Sequence, residues 1–448
     1  MPLNHTPTAT FVTLGCKLNY AESATMAAQL AACGIPAATK ADTPDVCVVN
    51  TCSVTSLAES KGRQQIRRLT KRYPNALIVV TGCYAQLSGQ RIADIEGVHI
   101  VLGNEQKGQL AQYVAAALRQ KGFSLPAEEA TEHFPLIHIT ETKHIRQFVP
   151  SCQRGGRTRY WLKVQDGCNQ FCTYCTIPMA RGRSRSGTIA SLTEQARRVA
   201  EEGGREIVLT GVNIGDFGRP NNETLTALLH SLDTIDGIER YRISSLEPDL
   251  LSDEIIDFCA RSGKFMPHFH IPLQAGSDRV LELMRRHYDT ALFADRISRC
   301  RQAMPDCFIG VDVMVGSRGE TPELFEQSLN FVASLDVQHL HVFPYSERPG
   351  TAALQIPYIV SQTEKQSRAA RMIALSEEKE NEFAQRFIGT TRPVLVEHGT
   401  GRNTTLTGYT DNYLRVRLPD AKPDIAGTIV NVSLNKDNII LNHPAETP

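Results

Sequence analysis

Residues 159–175 read RYWLKVQDGCNQFCTYC. The apolar and aromatic run at 159–165 predicts a strand, and Asp166-Gly167 ends it with a turn pair. Cys168, Cys172 and Cys175 follow at once in a C-x3-C-x2-C spacing. In a barrel of the triose-isomerase kind, the loops after the strands form the active face. Thiolates are soft ligands that suit iron–sulfur clusters or zinc. A structural zinc takes four ligands, whereas this loop offers three cysteines and no histidine nearby. A 4Fe–4S cluster usually takes four cysteines, so three leave one iron with an open position for a small ligand.

Working outward, the strand rhythm repeats at 205–211, 239–245, 267–272, 308–315 and 338–343, with helical patterns such as 191–202 and 322–334 between strands. Six such units predict a partial (β/α)6 barrel over residues 156–388, closed by a long charged helix at about 362–388. On the N-terminal side, TFVTL (10–14), VCVVN (46–50), ALIVVT (76–81) and HIVLG (99–103) alternate with helical stretches. That alternation predicts an α/β unit over 1–120, an open parallel sheet with helices on both faces. Residues 121–155, with Pro126, Pro135 and Pro150, read as a connector holding one short strand at 135–140. On the C-terminal side, 389–446 holds short alternating strands separated by turn residues, the pattern of a small β-barrel.

The 448 residues carry 48 Lys plus Arg against 48 Asp plus Glu, which excludes a globally basic nucleic-acid coat but not a local basic face. No apolar run approaches the ~18 residues of a membrane span, and the N-terminus lacks the features of a secretion signal. The expectation is a cytoplasmic protein with no membrane partner. In a reducing compartment, twelve cysteines suggest metal ligation or packing rather than disulfides. Cys16, Cys52 and Cys83 each follow one of the first three predicted strands by one or two residues. Ligand sites in open parallel sheets form outside the carboxyl ends of the strands, so these three thiols converge on one edge. The alternative for each is a plain buried cysteine. The remaining six cysteines are assigned to packing.

The two triplets together resemble the methylthiotransferase family of radical S-adenosylmethionine enzymes, along nearly the whole chain. Within that family GCKLNYAES (15–23), QDGCNQFCTYC (165–175), ARGRSRS (180–186), LTGVNIGDFG (209–218) and HVFPYSERPGTAA (341–353) look like the branch that modifies threonylcarbamoyladenosine in tRNA. The other branches act on isopentenyladenosine of tRNA or on a ribosomal-protein aspartate. An iron–sulfur RNA-binding protein without catalysis is the alternative of another class. One departure is visible: Ser317-Arg318 stands where the family usually has Phe-Pro.

The resemblance implies two 4Fe–4S clusters, one on Cys168, Cys172 and Cys175 and an auxiliary one on Cys16, Cys52 and Cys83 that holds the sulfur for insertion. It implies S-adenosylmethionine near Tyr174, Thr210, Gly211, Asn213, Ser245, Glu247 and Gln274. For Glu247 the rival role is an ordinary salt bridge in the barrel. The C-terminal β-domain becomes a TRAM domain. The implied partners are the tRNA anticodon stem-loop and a flavodoxin- or ferredoxin-like electron donor. Arg181, Arg183 and Arg185, together with Tyr409, Asn412, Tyr413 and Arg415, are the expected RNA contacts, since arginines meet phosphates and aromatics stack on unpaired bases. The basic stretch 61–72 reads equally as an RNA contact or a solvated helix face.

Overall fold

The computed structural model describes residues 5–39, 42–123, 125, 136–153, 158–398, 405–419 and 421–441. Pro126, Pro135 and the last residues of the chain lie outside them. The first unit is a five-stranded parallel sheet in sequential order: β1 (Ala9–Thr13), β2 (Val46–Thr51), β3 (Leu77–Gly82), β4 (Ile100–Leu102) and β5 (Leu136–His138). β2 and β3 are buried at every residue because helices cover both faces. Val46, Val48, Leu77 and Val79 pack with Met26, Leu30, Val114 and Leu118 on one side. Cys47, Val49, Ile78 and Val80 pack with Ile66 and Tyr84 on the other. The short strand expected in the connector is thus β5 of this sheet, pairing with β4.

The second unit has six parallel strands: β6 (Tyr160–Lys163), β7 (Glu206–Thr210), β8 (Arg240–Ile243), β9 (His268–Gln274), β10 (Phe308–Val315) and β11 (His339–Pro344). They hydrogen-bond in two runs, β8-β7-β6 and β9-β10-β11, joined at a seam where Tyr241 bridges Phe265. One face of each strand, with Leu162, Ile207, Leu209, Ile243, Ile271 and Val311, packs against the surrounding helices. The alternate positions give the inner face, and it is polar: Lys163, Glu206, Arg242, His268, His270, Asp312 and His341. Barrels of this class normally fill that space with branched apolar side chains. Here α1 (Lys17–Ala32) of the first unit lies against the barrel, with Ala21 packed on Trp161 and Val208.

The third unit is an antiparallel sheet of β12 (Thr391–Val396), β13 (Leu406–Thr410), β14 (Arg415–Leu418) and β15 (Ile429–Ser433), ordered β14-β13-β12-β15. After β15, Ile439 adds a bridge to Val416. Barrel arginines hold this sheet. Arg240 donates to the carbonyls of Tyr409 (3.1 Å) and Pro393 (2.8 Å), and Arg242 donates to those of Asp411 (2.9 Å) and Thr410 (2.8 Å). The long helix runs Gln362–Gln385. No helix among the described residues is long and apolar enough to cross a membrane.

Candidate cluster and cofactor site

Cys16 caps the N-terminus of α1 just after β1, Cys52 follows β2 directly, and Cys83 opens α2 (Cys83–Leu87) directly after β3. Register alignment of the three strands therefore brings the three thiols to one sheet edge. Asn19 ties two of the loops together, its Nδ2 donating to Leu14 O at 2.8 Å and Thr51 O at 3.2 Å. Gly82 sets the third. Its φ is 102°, and a Cβ there would run into the Thr51 carbonyl. Burial, followed by the charges of Cys83 and Cys16, pushes the Cys52 thiol up to about 12. The Cys16 thiol is also raised, by desolvation first; Arg181 opposes the shift and Cys83 adds to it. Two thiols that resist ionising alone, gathered with a third, suit a cationic core that would neutralise thiolates together. No group of three such ligands among the described residues is arranged to hold a metal ion. Three thiolates are soft donors of the kind that suit an iron–sulfur core.

The barrel triplet is held from three sides. The Cys168 thiol accepts from the Gln170 N–H at 3.4 Å, Cys175 accepts from the Ile177 N–H at 3.4 Å, and Cys172 accepts from Arg286 Nη1 at 3.1 Å. Donors to sulfur are among the levers that set a cluster's potential. Thr173 pins the middle of the loop, its N–H donating to Met284 O and its hydroxyl to Leu283 O. Phe171 sits at φ 51°, a strained value for an aromatic residue, and its exposed ring carries Arg183 at 4.4 Å. Arg286 also pairs with Glu247, and its Nη1 lies 3.5 Å from Tyr174 Oη. Desolvation raises the Glu247 carboxyl to about 7 despite Arg286, which pulls the other way. Sequence reasoning missed Arg286; RRHYD (285–289) carries no spacing that marks it.

Around this loop lie buried polar atoms without protein partners. Asn213 is 1% exposed, yet neither its side-chain oxygen nor its nitrogen has a hydrogen bond. Its backbone N–H, with that of Val212, is fixed by Gln165 Oε1 at 2.9 and 3.0 Å. Gln274 Oε1 and Ser244 Oγ are likewise orphaned, and Gln274 sits at φ 68° where β9 loses register. Thr210 is buried at the end of β7, and Gly211 leaves no room for a Cβ against Ile214 and Gln165 O. Ser245 is half-buried, its carbonyl accepting from Ile214 N. Such orphans are expensive in a finished core, so this cradle suits a polar ligand such as S-adenosylmethionine.

Several expected RNA contacts are placed elsewhere. Arg181 is 1% exposed. It donates to Glu22 Oε1 and Asp166 Oδ1, both at 2.9 Å, and to Asn19 Oδ1 at 2.6 Å. Arg185 is buried on Asp166 Oδ2 (2.9 Å) and the carbonyls of Gln147 and Arg181. Both guanidiniums are consumed inside the protein, so of this segment only Arg183 remains exposed. Tyr409 and Asn412 are buried as well. Tyr409 stacks on Tyr413 at 4.8 Å under Arg159, and Tyr413 stacks on His268 at 4.1 Å. These aromatics join the β-sheet to the barrel and are not open to bases. Arg415 is half-buried. Ser317 is buried, and Arg318 pairs with Glu347. His270 Nε2 lies 2.8 Å from Asp312 Oδ1.

Comparison with known proteins completes the picture. Residues 162–332 match the Radical SAM superfamily, and residues 8–103 match "Uncharacterized protein family UPF0004". The chain is 37% identical over 438 residues to the threonylcarbamoyladenosine tRNA methylthiotransferase MtaB of Bacillus subtilis, covering 96% of this chain and 94% of that protein. It is 33% identical to the Aquifex aeolicus protein of the same name, with 94% and 98% covered. It is 34% identical to the tRNA-2-methylthio-N(6)-dimethylallyladenosine synthase of Syntrophotalea carbinolica, with 94% and 95% covered. Among solved structures, the radical S-adenosylmethionine methyltransferase TsrM of Kitasatospora setae shares the fold at a TM-score of 0.56 and 15% identity, over 78% of this chain and 77% of that one.

Proposed function

This chain belongs to the radical S-adenosylmethionine methylthiotransferases, and from that premise we propose that it methylthiolates C2 of N6-threonylcarbamoyladenosine in tRNA. The near full-length 37% identity to the Bacillus subtilis enzyme carries the choice of substrate. S-Adenosylmethionine and two 4Fe–4S clusters, when bound, supply the electron, the carbon radical, the sulfur and the methyl group that an unactivated aromatic C–H requires.

The chain's own part is orientation and tuning. Cys168, Cys172 and Cys175 hold one cluster, with Arg286 and two backbone N–H groups directed at their sulfurs. Cys16, Cys52 and Cys83 hold the other. Thr210, Gly211, Asn213, Ser245, Glu247, Gln274 and Tyr174 form the S-adenosylmethionine cradle, where Glu247 suits the ligand's amine. Arg183, with Phe171 beneath it, and Arg415 face the RNA, which is the anticodon stem-loop. A small flavodoxin- or ferredoxin-like protein delivers electrons, and the compartment is the cytoplasm.

Mass spectrometry of tRNA nucleosides from a strain lacking this protein tests the reading. The expected result is loss of the methylthio-threonylcarbamoyl nucleoside with its unthiolated precursor retained. An unchanged nucleoside profile overturns it, and loss of the methylthio-isopentenyl nucleoside instead transfers the substrate to the other tRNA branch.

A further inference from the structure

On the polar face inside the barrel, Lys17, His270, Asp312 and His341 are not among the residues assigned to either cluster or the cofactor. α1 begins with the ligand Cys16 and continues at once into Lys17. Lys17 lines a lumenal cavity with Trp161, Arg242, Ser244, His268 and His270. Its charge reaches Asp312 and His341, on the two neighbouring strands. Register explains the grouping. Pro272, Asp312 and His341 stand side by side across β9, β10 and β11, with His270 one inner-face position earlier on β9. His270 bonds Asp312 at 2.8 Å, and the His270 and His341 rings stack 4.9 Å apart. These side chains are only part-buried, His270 at 21% and Asp312 at 22%.

The lumen is closed below them. Tyr413 of the β-sheet stacks on His268 and lies under Arg242 at 4.8 Å. The cavity that Lys17, His268, His270 and Tyr413 line measures about 10 Å³, room for about one water molecule, so nothing larger passes beyond them. A group entering the lumen from the cysteine side therefore stops at Lys17 and the His270–Asp312 pair.

We propose that Lys17, with His270 and Asp312, is the site that recognises the polar N6 substituent of the substrate base, Lys17 taking its carboxylate and the His270–Asp312 pair its hydroxyl and urea groups. The proposal rests on the reading of the substrate as threonylcarbamoyladenosine. That substituent carries an anion, a hydroxyl and a urea, the groups that a cation and a coupled donor–acceptor pair recognise. An isopentenyl group offers none of them and would leave the same polar groups desolvated and unpaired, a strong basis for rejection. Cys16 and Lys17 are adjacent, so gripping the substituent also places the base beside the auxiliary thiols.

The test compares binding of two synthetic anticodon stem-loops to the iron-loaded protein, one with threonylcarbamoyladenosine and one with plain adenosine at the same position. Wild type should prefer the first. In Lys17→Gln the preference should fall about tenfold or more, the equivalent of one charge-assisted hydrogen bond, while Lys17→Arg retains most of it. Asp312→Asn should lose part of it, and serves as the second variant if Lys17→Gln fails to retain iron. Unchanged preference in variants with full iron overturns the proposal. Absence of preference in a wild type that methylthiolates the first RNA overturns the proposal alone. Absence of both preference and reaction overturns the substrate reading with it.

Discussion

Glu22 of α1 and Arg181, which follows the barrel's cysteine loop, form a buried ion pair at 2.9 Å. The pair joins the unit that holds Cys16 to the unit that holds Cys168. Glu22 also receives Lys107 and Lys163, the latter at 2.9 Å, and Arg181 continues to Asp166, which accepts from the Gly167 N–H at 2.8 Å. The segments that carry the two cysteine triplets are thus tied through one chain of buried charges.

Removing Glu22 should therefore do more than lose a contact. Glu22→Ala leaves three buried cations short of a partner, which costs roughly 3–5 kcal/mol. Thermal melting should show a clear fall in the midpoint, and limited proteolysis should cut between the first unit and the barrel. A melting curve equal to wild type would show that the network contributes nothing to their docking.

The same residue predicts an acid limb. Arg181, Lys107 and Lys163 overcome the desolvation of Glu22 and hold its carboxyl well below its ordinary 4.5. Asp166 is likewise held below 3.8, with Lys163, Arg185 and Arg181 outweighing its burial. A depressed folded-state pKa contributes stability that is complete above the unfolded value and is lost as pH falls through the folded one. Stability should be flat from neutral pH down to about 4.5 and fall below it, and Glu22→Gln should flatten that fall. Melting midpoints measured across pH 3–7 for both proteins check this, on the order of the window set by the carboxylate values.

Gly82→Ala should empty one site and spare the other. The new Cβ meets the Thr51 carbonyl at a φ of 102°, so the chain that presents Cys83 has to move. Iron per chain after reconstitution should drop from about eight to about four, while S-adenosylmethionine cleavage persists. Full iron content in the variant would contradict the assignment of Cys83.

Asn213→Ala tests the cradle. Its two orphaned polar atoms have no work to do in the protein alone, so the substitution should leave the melting midpoint nearly unchanged. Equilibrium dialysis should show S-adenosylmethionine binding weakened by about 1–3 kcal/mol, the cost of leaving the ligand's polar groups unpaired. A destabilised protein with unaltered affinity would make Asn213 a structural residue.

Much of the candidate site was legible before any coordinates. Strand ends are local features of sequence, and the cysteines at 16, 52, 83, 168, 172 and 175 are read directly from their position after apolar runs. Parallel register then does the rest, because aligned strands put equivalent ends on one edge. The charged residues behaved differently. ARGRSRS reads as a surface arginine run, yet Arg181 and Arg185 point inward because Glu22 and Asp166 arrive from other segments to neutralise them. Tyr409 and Tyr413 read as an open stacking surface, yet Arg159 and His268 of the barrel cover them.

The sequence by itself therefore determined the α/β order of units and the placement of the six thiols, since these depend on periodicity and spacing within a few residues, while the family chemistry came with the resemblance. Only the tertiary structure decided which arginines remain outside, that Arg286 meets Cys172, and that Lys17 enters a polar barrel lumen. Whether a long charged side chain is buried is a balance of desolvation against partners, and those partners lie far along the chain, 159 residues away for Glu22 and Arg181.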